Sequence, residues 1–88
     1  MEVAYTASFL RMLGKLPPEL QEEAMEKIEL FRNVQNHQQL KVHALRVQLI
    51  GRYSFSVNYK TRIVFHYLSK KIKEEALLTA IGDHDVYR

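Results

Sequence analysis

The spacing of apolar side chains changes its period once along this chain, and that change constrains the fold more than any other feature. Between Phe9 and Phe31 apolar residues recur every three or four positions, the repeat of a helix with one buried stripe. From Tyr53 onward they recur every second position, the repeat of a half-buried strand. A chain that is helical in front and strand-rich behind must pack helices against a sheet, which is the α+β class.

Residues 1–5 (Met-Glu-Val-Ala-Tyr) put Val3 and Tyr5 on one side and predict a short first strand. Thr6 can cap a following helix, because its hydroxyl accepts from an unpaired N–H of the first turn. Phe9, Leu10, Leu13 and Leu16 form that helix's apolar stripe; Gly14 weakens it and the pair Pro17 and Pro18 ends it. Pro18 suits the first position of a second helix, where its missing N–H costs nothing. Glu19, Glu22 and Glu23 favour the positive end of the helix dipole. Leu20, Ala24, Ile28 and Phe31 give this helix a buried stripe ending near Asn33. So short a connection predicts a helical hairpin.

Residues 33–39 are polar and looped. Tyr53, Phe55, Val57 and Tyr59 then alternate with Arg52, Ser54, Ser56 and Asn58 as one strand. Residues 58–61 carry turn chemistry, and Ile63, Phe65 and Tyr67 alternate with Arg62, Val64 and His66 as the next. A charged turn over residues 69–75 leads to a third strand over 76–81, apolar on both sides and therefore expected to be central or well covered. Leu45, Val47 and Leu49 offer either a short earlier strand or an anchor for the approach to Tyr53. Strands joined by short turns are antiparallel neighbours. The predicted order is β-α-α-β-β-β in one domain over residues 1–88, with the helical hairpin on one face of a mainly antiparallel sheet. The other face is expected to be free to present polar side chains to a ligand.

Charge sharpens the functional question. Residues 1–40 hold four Lys and Arg against six Asp and Glu, whereas residues 41–88 hold nine against four. Between positions 41 and 62 there are five basic side chains, Lys41, Arg46, Arg52, Lys60 and Arg62, and no acid. A one-sign segment of this kind suits a polyanion or an acidic partner; the plain alternative is a solvated basic face. With no cysteine, disulfide frameworks and cysteine-based zinc sites are excluded. The start of the sequence lacks the pattern of a signal peptide, and no apolar run approaches the ~20 residues needed to span a bilayer. A cytoplasmic protein with no membrane partner is expected.

The candidate chemistry is that of phosphodiester cleavage. Arg52 and Arg62 flank the predicted hairpin, and a guanidinium fork matches phosphate oxygens and the added charge of a pentacoordinate transition state. His84, set between Asp83 and Asp85 after the last strand, could be tuned near neutrality as a proton carrier. Tyr87 could hydrogen-bond a phosphate or stack on a base. His43 with Lys41 offers a second proton carrier and a phosphate contact. His66 reads as structural, and His37, in the polar loop, carries no clear signal. The histidines lack zinc-ligand spacing, and no glycine-rich phosphate loop or Ser or Cys nucleophile motif is present. No metal and no cofactor is expected, since attack by a ribose 2′-OH needs only proton carriers and a cation.

Two stretches carry a resemblance. The segment G-x-Y-S-F-S-V over residues 51–57, followed by Y-x-x-R-I-V-F over 59–65, and the terminal G-x-H-D-x-Y over 82–87, with the two front helices and Leu40, Lys41, Val42 and His43, resemble the RelE/ParE toxin superfamily along essentially the whole chain. The resemblance implies a microbial-RNase-like fold and, as in the RelE, YoeB and YafQ branches, metal-independent mRNA cleavage on the ribosome that inhibits translation. It implies that Arg62 contacts the scissile phosphate, that His84 is a general acid or base, and that Tyr87 lies near the substrate. Lys41, His43, Arg46, Arg52 and Lys60 are expected to bind substrate. RelE itself uses a lysine-rich set with a second arginine at the end of the last strand, where this chain has Gly82, Asp83 and His84. The chain thus looks nearer the histidine-using branches. The expected partners are a cognate antitoxin, present in a monomeric or small assembly, and mRNA with the ribosome. Two alternatives stand beside this: the ParE branch, which shares the fold but inhibits DNA gyrase, and a catalytically dead module that binds RNA or antitoxin.

Overall fold

A computed structural model describes residues 1–45, 51–69, 73–83 and 86. The chain runs β1 (Glu2–Tyr5), α1 (Ala7–Gly14), α2 (Pro18–Phe31), a 3-10 turn (Val34–Asn36), β2 (His43–Ala44), β3 (Tyr53–Ser56), β4 (Arg62–Tyr67) and β5 (Glu75–Gly82). The strands form one five-stranded sheet in the order β1-β5-β4-β3-β2, antiparallel except where β1 pairs with β5. Two helices on one mixed sheet make this an α+β fold. The third predicted strand, β5, is an interior strand flanked by β1 and β4, while β4 is the middle strand of the five; a strand apolar on both faces suits such a covered position.

Local chemistry sets the element ends. Thr6 caps α1 by accepting from the Phe9 N–H at 2.9 Å. α2 opens with Pro18 at its first position, and the Gln21 side chain donates to the Leu16 carbonyl at 2.8 Å, pinning the interhelical turn. The Met1 ammonium donates to the Arg32 carbonyl at 2.8 Å, a cation at the negative end of α2. His37, a residue without clear signal in the sequence, donates from Nε2 to the Phe31 carbonyl at 2.8 Å. Its ring stacks on Phe31, centroids 4.7 Å apart.

The core lies between the helices and one face of the sheet. Phe9, Ala24, Ile28 and Phe31 meet Phe55, Val57, Ile63, Phe65, Ala76, Leu78 and Ile81 there. Phe31 is the hub, stacked on Phe55 at 4.3 Å and edge-on to Phe65 at 4.8 Å. In β5, Ala76 and Leu78 share parity but Ile81 does not. A bulge resolves this: Val64 pairs with Ala80 and Phe65 with Leu78, so Thr79 is the extra residue. The Thr79 hydroxyl donates to the Val64 carbonyl at 3.2 Å, which occupies a polar group at the irregular point.

Four expectations need correction. Leu10 is 51% exposed and lies off the buried stripe of α1, which runs through Phe9, Met12 and Leu13. α2 ends at Phe31 rather than Asn33. β3 stops at Ser56, because the Val57 N–H turns to the Thr61 carbonyl at 2.9 Å; Tyr59 is thrown to the turn tip, 83% exposed. The face of the sheet away from the helices is not simply open, since Ser54 and Val64 on it are 0% and 1% exposed. The early strand is only His43–Ala44, just before Leu45; Val47 and Leu49 lie outside the described residues.

Candidate functional site

Strand register decides which candidates share a face. Ser54 opposes both His43 and Val64, and Ser56 opposes Arg62. With a period of two, His43, Ser54, Ser56, Arg62, Val64 and His66 all belong to the face away from the core. His43 and Arg62 are two strands and two residues apart, so their Cα atoms are about 12 Å apart. Arg62 also opposes Gly82 of β5. His66 sits four residues along β4 from Arg62, about 13 Å away, and lines a separate pocket of about 420 Å³ with Gly51, Tyr53, Tyr67 and Lys73.

Arg62 is half-buried at the start of β4. Its Nη1 donates to the Asn58 carbonyl and, at 3.2 Å, to the Thr61 carbonyl. Both acceptors belong to the β3–β4 turn, so one arm of the guanidinium is anchored on backbone. That turn is itself held. Asn58 Oδ1 accepts from the N–H groups of Lys60 at 2.9 Å and Thr61 at 2.7 Å, and Asn58 Nδ2 donates to Glu23 Oε1 of α2 at 2.9 Å. Beside it lies a groove of about 350 Å³ lined by Leu16, Leu20, Asn58, Tyr59, Lys60, Thr61, Gly82 and Asp83. The turn therefore meets the end of β5 at this groove.

His43 is exposed in β2, and its Nδ1 donates to the Lys41 carbonyl at 2.8 Å. A neutral imidazole that donates from Nδ1 keeps its lone pair on Nε2, the form a general base needs. Lys41, at φ 59°, holds a left-handed backbone conformation that aims this carbonyl. Its side chain is exposed, as are Lys60 and Arg52. Arg52 precedes β3 rather than lying in it, and its carbonyl accepts from the Leu45 N–H at 2.8 Å.

The structure thus gathers Arg62, Lys60, Gly82 and Asp83 at one end of the sheet and puts His43 on the same face as Arg62. Arg46, His84 and Tyr87 lie outside the described residues. After Asp83 the Val86 N–H donates back to the Asp83 carbonyl at 3.0 Å, and Val86 stands against Gly82. Sequence reasoning missed Glu23 and Asn58 here. Asn58 signalled only a turn, and Glu23 was one of several glutamates on a helix face. Among the described residues no group of three His, Asp or Glu could hold a metal ion, and no helix is long and apolar enough to cross a membrane.

No protein-family model matches the sequence, and no curated protein matches it at a significant level. Solved structures do. The toxin–antitoxin complex RelBE2 of Mycobacterium tuberculosis has a chain 19% identical, TM-score 0.67, with 94% of this chain and 96% of that chain covered. A conserved hypothetical protein from Helicobacter pylori is 14% identical at TM-score 0.72, covering 100% and 99%. A chain of the YoeB–YefM complex from Staphylococcus aureus is 12% identical at TM-score 0.70, covering 96% and 97%. These likenesses show the fold: the chain is folded like the toxin chains of RelE- and YoeB-type complexes, as the resemblance implies.

Proposed function

We propose that this protein is the toxin of a type II toxin–antitoxin system, acting in the cytoplasm as a metal-independent endoribonuclease on mRNA at the ribosome. The observation that carries this is the setting of Arg62. Its guanidinium is anchored on two turn carbonyls, opposite Gly82, and His84 follows Gly82 by two residues, at most about 7 Å of chain. The fold supports the same reading.

In this reaction a base takes the proton of a ribose 2′-OH, and the oxygen attacks the adjacent phosphorus. The bond to the 5′-oxygen breaks, and an acid returns a proton to that leaving group. The products are a 2′,3′-cyclic phosphate and a 5′-hydroxyl, with no net proton change. Arg62 binds the non-bridging oxygens and gains strength as their charge grows. His43 and His84 are the proton carriers, and Tyr87 contacts the neighbouring nucleotide. Lys41, Arg46, Arg52 and Lys60 hold backbone phosphates. An acidic antitoxin that orders on binding would cover this basic side.

Induction in a bacterial host, with mapping of mRNA 5′ ends, tests the proposal. New ends should appear with wild-type protein and vanish with Arg62→Ala or His84→Ala, together with relief of growth arrest. Arrest without new ends, joined to inhibition of purified gyrase, would replace the nuclease with a ParE-like inhibitor.

A further inference from the structure

We propose that Glu23 and Asn58 are positioning residues for Arg62, forming a relay that fixes the guanidinium from helix α2 before substrate arrives. The inference rests on the nuclease reading and extends it to two residues that never touch RNA.

An arginine side chain has much rotamer freedom to lose when it is held in one geometry. Here two acceptors fix it, and both are carbonyls of one turn, Asn58 and Thr61. Their direction depends on the shape of that turn. The shape is set by Asn58 Oδ1, which takes the N–H groups of Lys60 and Thr61. The placement of the turn against the body of the protein is set by the other end of the same amide, through Asn58 Nδ2 and the Glu23 carboxylate at 2.9 Å. That contact joins residues 35 apart in sequence, and a charged acceptor makes it stronger than a neutral one. Glu23 is half-buried while its neighbours Glu22 and Glu26 are exposed, which separates it from the solvated face of α2.

A turn-forming role alone makes a different prediction. Aspartate forms the same side-chain-to-backbone turn as asparagine, so Asn58→Asp would then be silent. In the relay it loses the donor to Glu23 and sets two carboxylates face to face. Misplacing a reacting or stabilising group by about 1 Å can cost up to 10²-fold in rate.

The test is steady-state cleavage of a ribosome-bound mRNA by purified protein, with NMR of the Arg62 guanidinium as an activity-independent reading. Glu23→Ala and Asn58→Asp should each lower kcat by about 10-fold or more with little change in KM, and should loosen the Arg62 Nε–H signal. Glu23→Gln, whose amide oxygen still accepts, should retain most of the rate. The pair Glu23→Gln with Asn58→Asp reverses donor and acceptor and should recover what Asn58→Asp loses. Wild-type kcat and an unchanged Arg62 signal in Glu23→Ala and Asn58→Asp would overturn the relay. In that case loss of cleavage in Arg62→Ala would leave the nuclease reading standing. If instead Arg62→Ala cleaves at the wild-type rate, the nuclease role of Arg62 falls, and the Arg62 signal alone decides whether the relay exists.

Discussion

Replacing Phe31 with leucine tests where the core is centred. Phe31 is fully buried, stacked on Phe55 and His37 and edge-on to Phe65. Leucine restores most of the apolar burial, so the exchange by itself costs under about 1.5 kcal/mol. The ring contacts are each worth about 0.5–1.5 kcal/mol beyond area, and their partial overlap brings the total to roughly 2–3 kcal/mol. A chain of this length has about 4–13 kcal/mol of stability. At about 4–8 °C per kcal/mol, Tm should fall by roughly 8–24 °C. Leu10→Ala, at a residue 51% exposed, should cost less than about 1 kcal/mol. Urea titration and thermal melts followed by circular dichroism measure both. Equal losses for the two variants, or an unchanged Tm for Phe31→Leu, would refute the placement of the core.

Three further outcomes follow. Thr6→Ala removes the side-chain cap of α1 and should cost about 1 kcal/mol in a urea titration. Burial, aided by the adjacent Tyr53, raises the Tyr67 pKa above 10.0. The folded state therefore holds that proton more tightly than the unfolded state. This contribution is complete below the unfolded pKa and is lost as pH climbs through the folded one. Wild-type stability should fall on alkaline titration, and Tyr67→Phe should flatten that fall. His43→Ala should slow single-turnover RNA cleavage by about 100-fold if Nε2 is the base; a rate within a few-fold of wild type would assign the proton to another group.

The class and element order were legible because the change of period from Phe31 to Tyr53 is a direct image of which faces are buried. Thr6 and Pro18 were legible because caps act within a few residues. Long-range pairing was not: nothing local to residues 2–5 says that they join β5 in parallel. The Thr79 bulge was hidden for a similar reason, since β5 is apolar on both faces and parity leaves no mark. Tyr59 misled because alternation continues past the strand into the turn, where Asn58 takes control of the backbone. His37 sat among polar loop residues, and only its stacking on Phe31 gives it a role. For the site, residue types singled out Arg62 and His43, but sharing a face required the register of three strands. The link from Glu23 to Asn58 spans 35 positions, which no local pattern encodes.

The central claim is that the Arg62 guanidinium stabilises a phosphodiester as it is cut. Single-turnover cleavage of a ribosome-bound mRNA by wild type, Arg62→Ala and Arg62→Lys, each shown folded by circular dichroism, tests it directly. Loss of a preorganised charge at the transition state should slow Arg62→Ala by about 10²–10³-fold, with lysine restoring only part of the rate. Cleavage by folded Arg62→Ala at the wild-type rate would contradict the claim.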